Sequence, residues 1–282
     1  MTSPASNSDG DAAASARRNI VTWKLRTGSQ SRLDDLAPEE PLEIRVETHP
    51  ISVTMRTPGH DRELAAGFLL AEGIVSNPAD VVRIRPYVRN RKGNVLDVHL
   101  AEGVRVDLKR LTRHVFASSS CGLCGKATIE ALQHRFPPIR TRAHFDANML
   151  LRLPGRMKRG QAVFQRTGGL HAAALFDAQG NLRVLREDVG RHNAVDKVVG
   201  HAFLQGPWPL VEGILLVSGR ASFEIMQKAL AGRIPLVASV SAPSALAVDF
   251  ARANGQTLVG FLRGQSMNVY AGRKRISFGK KA

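Results

Sequence analysis

Apolar and polar positions alternate through Leu42–Thr57 on either side of His49-Pro50, which predicts a strand pair with one wet face turning at that dipeptide. Asp61 then opens a helix whose apolar Leu64, Ala65, Phe68 and Leu69 fall on one stripe, ending at Gly73. Val95–Leu100 reads as a further strand, and this first portion as a small α+β unit. Later periodicities predict helices over Lys126–Phe136, stopped by Pro137-Pro138, and over Asp146–Lys158, interrupted at Pro154. From about residue 162 short apolar runs alternate with helical patterns. Ala172–Phe176 and Leu182–Leu185 predict a hairpin through Asp177–Gly180. A helix over Arg191–Leu204 follows, then strand Ile214–Val217, helix Ser222–Ala231, strand Leu236–Val240, helix Ser244–Asn254 and strand Leu258–Leu262. That order predicts a largely parallel sheet with helices on both faces.

Composition narrows the class. The chain has 282 residues, 43% of them hydrophobic, enough for a substantial core. It shows no internal repeat, and no apolar run approaches the roughly 18 residues that span a bilayer. Residues 1–18 are rich in Ala, Ser and Asp and read as a disordered lead, neither signal nor anchor. The net charge of +16 is unevenly placed: residues 103–186 hold 15 Lys and Arg against 4 Asp and Glu, whereas residues 1–102 hold 13 against 14.

Inside the most basic third stand the only two cysteines, Cys121-Gly-Leu-Cys124. This spacing lets two sulfurs meet in one turn, and a basic field favours the thiolate. Cys124 precedes the predicted 126–136 helix, where free N–H groups stabilise negative charge, and Lys126 adds a cation. The residues alone leave open a sulfur carrier, a dithiol redox couple, a metal site shared between subunits and a structural pair. Two cysteines do not make a disulfide framework, so a reducing cytoplasm is the expected compartment. The nine histidines contain no His-x₃₋₅-His pair, which excludes a local zinc finger.

A second cluster, Arg186-Glu-Asp-Val-Gly-Arg-His-Asn-Ala-Val-Asp-Lys197, places seven charged or imidazole side chains across a helix start. It fits either a salt-bridged helix entry, with His192 and Asp196 one turn apart on one face, or a pocket rim beyond a strand end. Three loops of similar character follow: Thr167-Gly-Gly-Leu-His171, Ser218-Gly-Arg-Ala-Ser222 and Phe261-Leu-Arg-Gly-Gln-Ser-Met-Asn268. Each joins glycine to hydroxyl, Arg or His, a composition suited to close approach to phosphate. Together they suggest a pocket for a phosphorylated ligand, although neither standard nucleotide-binding glycine loop is present.

Ser119-Ser-Cys-Gly-x-Cys-Gly-Lys126, Thr167-Gly-Gly-x-His-Ala-Ala173, Glu187–Lys197 and Phe261-x-Arg-Gly264 resemble, in order and over about residues 40–272, the motifs of the formate dehydrogenase accessory sulfurtransferase family. The resemblance implies a persulfide carrier that takes sulfur from a cysteine desulfurase. It implies delivery to the molybdenum bis-guanine-dinucleotide cofactor before that cofactor enters formate dehydrogenase, with no tightly held metal of the carrier's own. It further implies a homodimer and a cytidine-deaminase-like three-layer α/β core over residues 118–282, beyond a smaller α+β subdomain over 19–117. On this reading Cys121 bears the persulfide, Cys124 assists, and Phe261, Leu262, Arg263, Gly264, Gln265 and Ser266 form part of the cofactor site. Gly168, Gly169, His171, Arg191, His192, Ser218 and Arg220 complete the expected pocket.

Two other classes fit poorly. Zinc-dependent deamination needs His-x-Glu or Cys-x-Glu and a later Pro-Cys-x-x-Cys. No histidine or cysteine here has Glu two residues on, and Ser120 stands where the proline belongs. Nucleic-acid binding is supported by charge alone, because aromatic residues are only 5% and offer few stacking platforms. Neither a nucleic acid nor a membrane is therefore an expected partner.

Overall fold

The computed structural model describes residues 15–88, 90, 93–104, 106 and 136–279. Cys121, Cys124 and the predicted 126–136 helix, apart from Phe136 in a bend, lie outside the described residues.

The chain opens with an antiparallel hairpin of β1 (Ala16–Lys24) and β2 (Gly28–Leu36). Residues 16–18, expected to belong to the disordered lead, are instead part of β1; residues 1–14 lie outside the described residues. Next come β3 (Glu40–Val46), β4 (His49–Arg56), helix α1 (Asp61–Ala71), β5 (Val81–Pro86) and β6 (Val95–Leu100). They build a four-stranded sheet in the order β4-β3-β6-β5, in which β3 and β6 run parallel. Its tight turn is Glu47-Thr48, not His49-Pro50: Val46 pairs with His49, and both turn residues have positive φ (46° and 67°). Bonds to β6 hold this left-handed turn, Thr48 N donating to Asp97 (2.9 Å) and Leu100 N to Glu47 (2.8 Å). The proline only begins β4, where an edge strand tolerates the missing N–H.

After a two-residue β7 (Phe145–Asp146), helix α2 (Ala147–Gly160) starts on a side-chain cap, the Asp146 carboxylate accepting from Met149 N at 2.7 Å. The helix continues through Pro154 instead of breaking there. Burial of Leu150, Leu153 and Met157 along its inner face offsets the backbone bond that the proline removes. A short helix α3 (Ala162–Thr167) leads into β8 (His171–Phe176) and β9 (Leu182–Asp188). There follow α4 (Arg191–Gln205), β10 (Ile214–Val217), α5 (Phe223–Ala231), β11 (Leu236–Ser239), α6 (Ala245–Ala253), β12 (Thr257–Arg263) and β13 (Ser266–Ala271).

The main sheet has the order β13-β12-β11-β10-β8-β9. Only β10, β11 and β12 are mutually parallel; β13 on one side and β8 and β9 on the other pair antiparallel. The largely parallel expectation is thus corrected. Short connections of two residues (264–265) and five residues (177–181) join β12 to β13 and β8 to β9 as antiparallel partners, which no crossover helix is needed to reach. Segment 261–268, read as a loop, is mostly hairpin: Arg263 pairs with Ser266 around Gly264-Gln265, where Gly264 takes a positive φ of 59°.

Helices do cover both faces, giving three layers. Alternate residues Ala172, Ala174, Phe176, Ile214 and Leu216 face α2, whereas Ala173, Leu175, Leu215 and Val217 join the core under α4, α5 and α6. That second core continues without a break into Leu42, Ile44, Leu64 and Leu69 of the first sheet and its helix. Helices α1 and α4 make the junction at Gly67 and Gly200. A Cβ on either would collide with backbone of the facing helix, at Asp196 and Glu63 respectively.

Candidate functional site

The topology brings the chemistry-bearing loops to one edge of the main sheet. Parallel β10, β11 and β12 all end there, β8 and β13 begin there, and β9 arrives there opposite β8, His171 pairing with Asp188. Hydrogen bonds then lock the loops side by side. Ser218 N donates to the Ala172 carbonyl and Ala172 N to Ser218 Oγ, each at 2.9 Å. Ser239 Oγ donates to the Gly219 carbonyl at 2.7 Å, and Phe261 N to the Ser241 carbonyl at 2.9 Å. A β-bridge between Ala221 and Pro243 closes the seam between the loops after β10 and β11.

Within this edge His171, Arg191 and Gly219 meet. A Cβ on Gly219 would lie 3.3 Å from His171 Nδ1 and 3.8 Å from Arg191 Cβ, so this glycine makes room for both side chains. Arg191 Nε is buried and lacks a hydrogen-bond partner among the described residues. Burial first, then the charges of Arg191 and His192, hold the His171 imidazole below its usual range, against Asp188. The edge is thus a cationic, incompletely satisfied cluster, and an anion there would fill the missing interactions.

His192 turns toward α5. Its Nε2 lies 2.8 Å from Glu224 Oε2 and 3.4 Å from Ser222 Oγ. The bond with His192 keeps the Glu224 carboxyl below its usual range despite burial. One turn further on, Asp196 meets Lys228 at 2.7 Å, so His192–Glu224 and Asp196–Lys228 form two rungs of one ladder between α4 and α5. Burial pushes Asp196 upward although Lys228 opposes it.

The remaining polar residues of the 186–197 segment are structural. Asp188 and Lys197 pair at 2.6 Å with side-chain exposures of 0% and 1%. Asp188 also accepts from Thr57 N, Gly190 N and Asn193 Nδ2, and Lys197 donates to the Thr57 carbonyl at 2.7 Å. Asn193 donates to the Met55 carbonyl at 2.8 Å. These bonds clamp the first sheet to the start of α4. Glu187 accepts from Val163 N and Phe164 N, satisfying the first turn of α3. Arg186 binds Glu63 through two nitrogens (2.6 and 2.7 Å), and His201 Nδ1 lies 2.9 Å from the same carboxylate.

Of the other residues singled out from sequence, Ser218 sits in the seam with its hydroxyl accepting from Ala172 N. Arg220, two residues on, and Arg263, at the end of β12, are exposed, Arg263 lying 5.3 Å over the Phe261 ring. Phe261 holds a positive φ of 50°. Gly264, Gln265 and Ser266 form the exposed hairpin tip. Leu262 is a correction: its side chain is fully buried against α2, because the irregularity between Gly260 and Arg263, with Phe261 at positive φ, returns it to the same core as Val259, and only its backbone remains for a ligand. Gly168 and Gly169 lie at the end of α3, where Gly169 abuts Ala37. Sequence reasoning missed Glu224 and the Ser239–Ser244 seam. The hydroxyl-rich turn after an apolar strand was a usable signal for the seam; Glu224 carried none, since its partner lies 32 residues away. Among the described residues no group of three or more His, Cys, Asp or Glu is placed to hold a metal ion.

Fold and edge define a class: a three-layer α/β protein that gathers cations and glycine turns where its parallel strands end, the position at which open α/β sheets receive ligands. The chain belongs to the FdhD/NarQ family, whose pattern it matches over residues 37–277. It is 50% identical over 274 residues to the sulfur carrier protein FdhD of Streptomyces coelicolor, covering 93% of this chain and 95% of that one. It is 53% identical over 257 residues to the Mycobacterium tuberculosis protein of the same description, covering 88% and 93%. A crystal structure of a candidate formate dehydrogenase accessory protein from Desulfotalea psychrophila shares the fold, with a TM-score of 0.75 at 24% identity, covering 94% of this chain and all of that one.

Proposed function

We propose that this protein is a sulfur carrier in formate dehydrogenase maturation. The observation that carries this reading is near-full-length identity of about one half to proteins described as sulfur carriers, in a chain whose only cysteines form Cys121-x-x-Cys124. In the first step the Cys121 thiolate attacks the outer sulfur of a desulfurase persulfide. The desulfurase S–S bond breaks, its cysteine leaves as thiolate, and Cys121 holds the persulfide, with no net oxidation. In the second, the Cys124 thiolate attacks the inner sulfur. Hydrosulfide leaves toward the metal, a Cys121–Cys124 disulfide forms, and an external dithiol reductant restores the pair.

The loop edge serves as the cofactor site. Arg191, Arg220 and Arg263 match the two pyrophosphates of a molybdenum bis-guanine-dinucleotide substrate, and backbone N–H groups of the glycine turns add further donors. On this reading the protein works as a cytoplasmic homodimer; among the described residues no helix is long and apolar enough to cross a membrane. Incubation with a cysteine desulfurase and cysteine, followed by intact-mass analysis, tests the carrier step. The wild type gains one sulfur, removable by reductant, and Cys121→Ala gains none. A Cys121→Ala variant that still loads sulfur, or that still matures formate dehydrogenase fully, contradicts it.

A further inference from the structure

The opposite edge of the main sheet, where parallel β10, β11 and β12 begin at Ile214, Leu236 and Thr257, carries a second set of cations. Residues 137–144 cross it as an extended strap. Ile139 N donates to the Asn254 carbonyl at 2.8 Å and Thr141 Oγ1 to the Val211 carbonyl at 3.1 Å. Arg233 donates to the carbonyls of Pro137 and Pro138. Burial alternates along the strap: Ile139 and Phe145 are buried, Thr141 and Ala143 half-buried, and Arg140, Arg142 and His144 exposed. Side chains of an extended chain point to opposite faces, so Arg140 and Arg142 project together toward solvent, their Cα atoms roughly 7 Å apart.

Further cations close on the same edge. Phe145 pairs with Ile276, which brings the turn Arg273-Lys274-Arg275 against the end of the strap. Arg275 donates to Thr257 Oγ1 at 3.3 Å, and Arg252, near the end of α6, to the Tyr270 carbonyl at 3.2 Å. Arg140, Arg142, Arg252, Arg273, Lys274 and Arg275 form no ion pair among the described residues. Of the acids in the same segments, Asp146 caps α2, and Glu212 and Asp249 pair with none of the six. Arg275 Nε is buried without a hydrogen-bond partner among the described residues, and burial alone holds its guanidinium below the usual range. A cation taken from water without a counter-charge is costly, and a carboxylate supplied from outside offsets that cost. Two apolar side chains stand among these cations: Val211, 43% exposed beside Thr141, and Phe278, 47% exposed with Arg273 4.9 Å over its ring.

We infer that this edge docks another protein through an extended acidic segment, whose alternate carboxylates meet Arg140 and Arg142 and whose apolar side chains rest on Val211 and Phe278. The planar guanidinium fork binds a carboxylate through two parallel bonds, and two residues is the repeat of an extended partner as well as of the strap. Arginine and aromatic side chains together are the enriched residues of protein interfaces. A second copy of this chain is a poor occupant, because its own net charge of +16 repels the edge. Nucleic acid also fits poorly: Phe278 is already covered by Arg273, which leaves no open ring there on which a base could stack. The edge lies at the opposite ends of the strands from the loop edge, so a docked partner leaves the loops open. The inference uses charge and geometry alone and stands whether or not the sulfur-carrier reading does.

Fluorescence anisotropy of the full-length protein with a labelled peptide, Glu alternating with Ser around a central Leu, tests it. The wild type binds this peptide and ignores the same peptide with Gln for every Glu. Arg140→Glu with Arg142→Glu weakens binding about tenfold or more, because two charge-assisted contacts become repulsive. Arg83→Glu with Arg85→Glu removes the same charge from exposed positions on β5 and changes binding less than about twofold, which separates a docking edge from net charge. Both variants melt as the wild type does, since none of the four side chains makes a hydrogen bond or ion pair among the described residues. A labelled single-stranded oligonucleotide binds without dependence on Arg140 and Arg142. Equal weakening in the two charge-reversed proteins, a Gln peptide bound as tightly as the Glu peptide, or an oligonucleotide whose binding is lost with Arg140 and Arg142 while the peptide's is not, would each overturn the inference.

Discussion

The segment Glu187–Lys197 splits into two regions of opposite character. Asp188, Asn193 and Lys197 are buried and their polar atoms are met by Thr57, Gly190 and Met55. Arg191 and His192, interleaved among them, are half-buried at the loop edge, and Arg191 Nε has no partner among the described residues. A helix start presents different faces, so one short sequence serves as a clamp on one side and leaves an incompletely satisfied cationic surface on the other. Density of charged residues therefore does not separate structural from functional side chains; the bookkeeping of satisfied polar atoms does.

The largest expected effect lies in the clamp. Asp188→Ala leaves the Lys197 ammonium buried without its carboxylate, and the cost is about 3–5 kcal/mol. Denaturant unfolding should show that loss, whereas Arg191→Gln, with no buried partner to strand, should shift stability by less than about 0.5 kcal/mol. If the two variants lose equal stability, the division of the segment is wrong.

A smaller effect concerns pH. His171 and His60 both titrate below the ordinary histidine value of 6.5, burial being the first cause in each. The unfolded chain therefore binds more protons than the folded one just below that value, and stability falls as pH drops from 6.5 toward the depressed folded pKa. Glu224, held low by His192, adds a further loss in a separate window, as pH falls from 4.5 through its folded pKa. Melting temperatures between pH 7.5 and 5 should decline, and His171→Asn should reduce the slope. An unchanged slope would show that His171 protonates as freely in the folded state as in the unfolded one.

Much of the core was legible because periodicity and burial agree. Ile214–Val217 and Leu236–Ala238 are apolar throughout and buried, and the helices that follow them carry clear stripes. The β1–β2 hairpin was not legible. Its residues are mostly exposed, and its ladder is held by backbone pairing that leaves no alternation to read. The antiparallel β13 was hidden for a related reason: Arg263-Gly-Gln-Ser266 has the composition of a ligand loop, and a hairpin tip shares it. At the edge, His171, Arg191 and Ser218 announced themselves through glycine and charge. Glu224 did not, because the i,i+4 ladder that pairs it with His192 exists only once α4 packs on α5.

The central claim is that the loop edge, and not the charged segment as a whole, receives the guanine nucleotides of the cofactor. Calorimetry with GDP, ATP and CDP on the wild type and on Arg191→Gln tests it most directly. The account predicts that GDP binds in preference to ATP and CDP, and that Arg191→Gln weakens GDP binding about tenfold or more while melting as the wild type does. Equal or absent binding of all three nucleotides, or unchanged GDP affinity in Arg191→Gln, would contradict it.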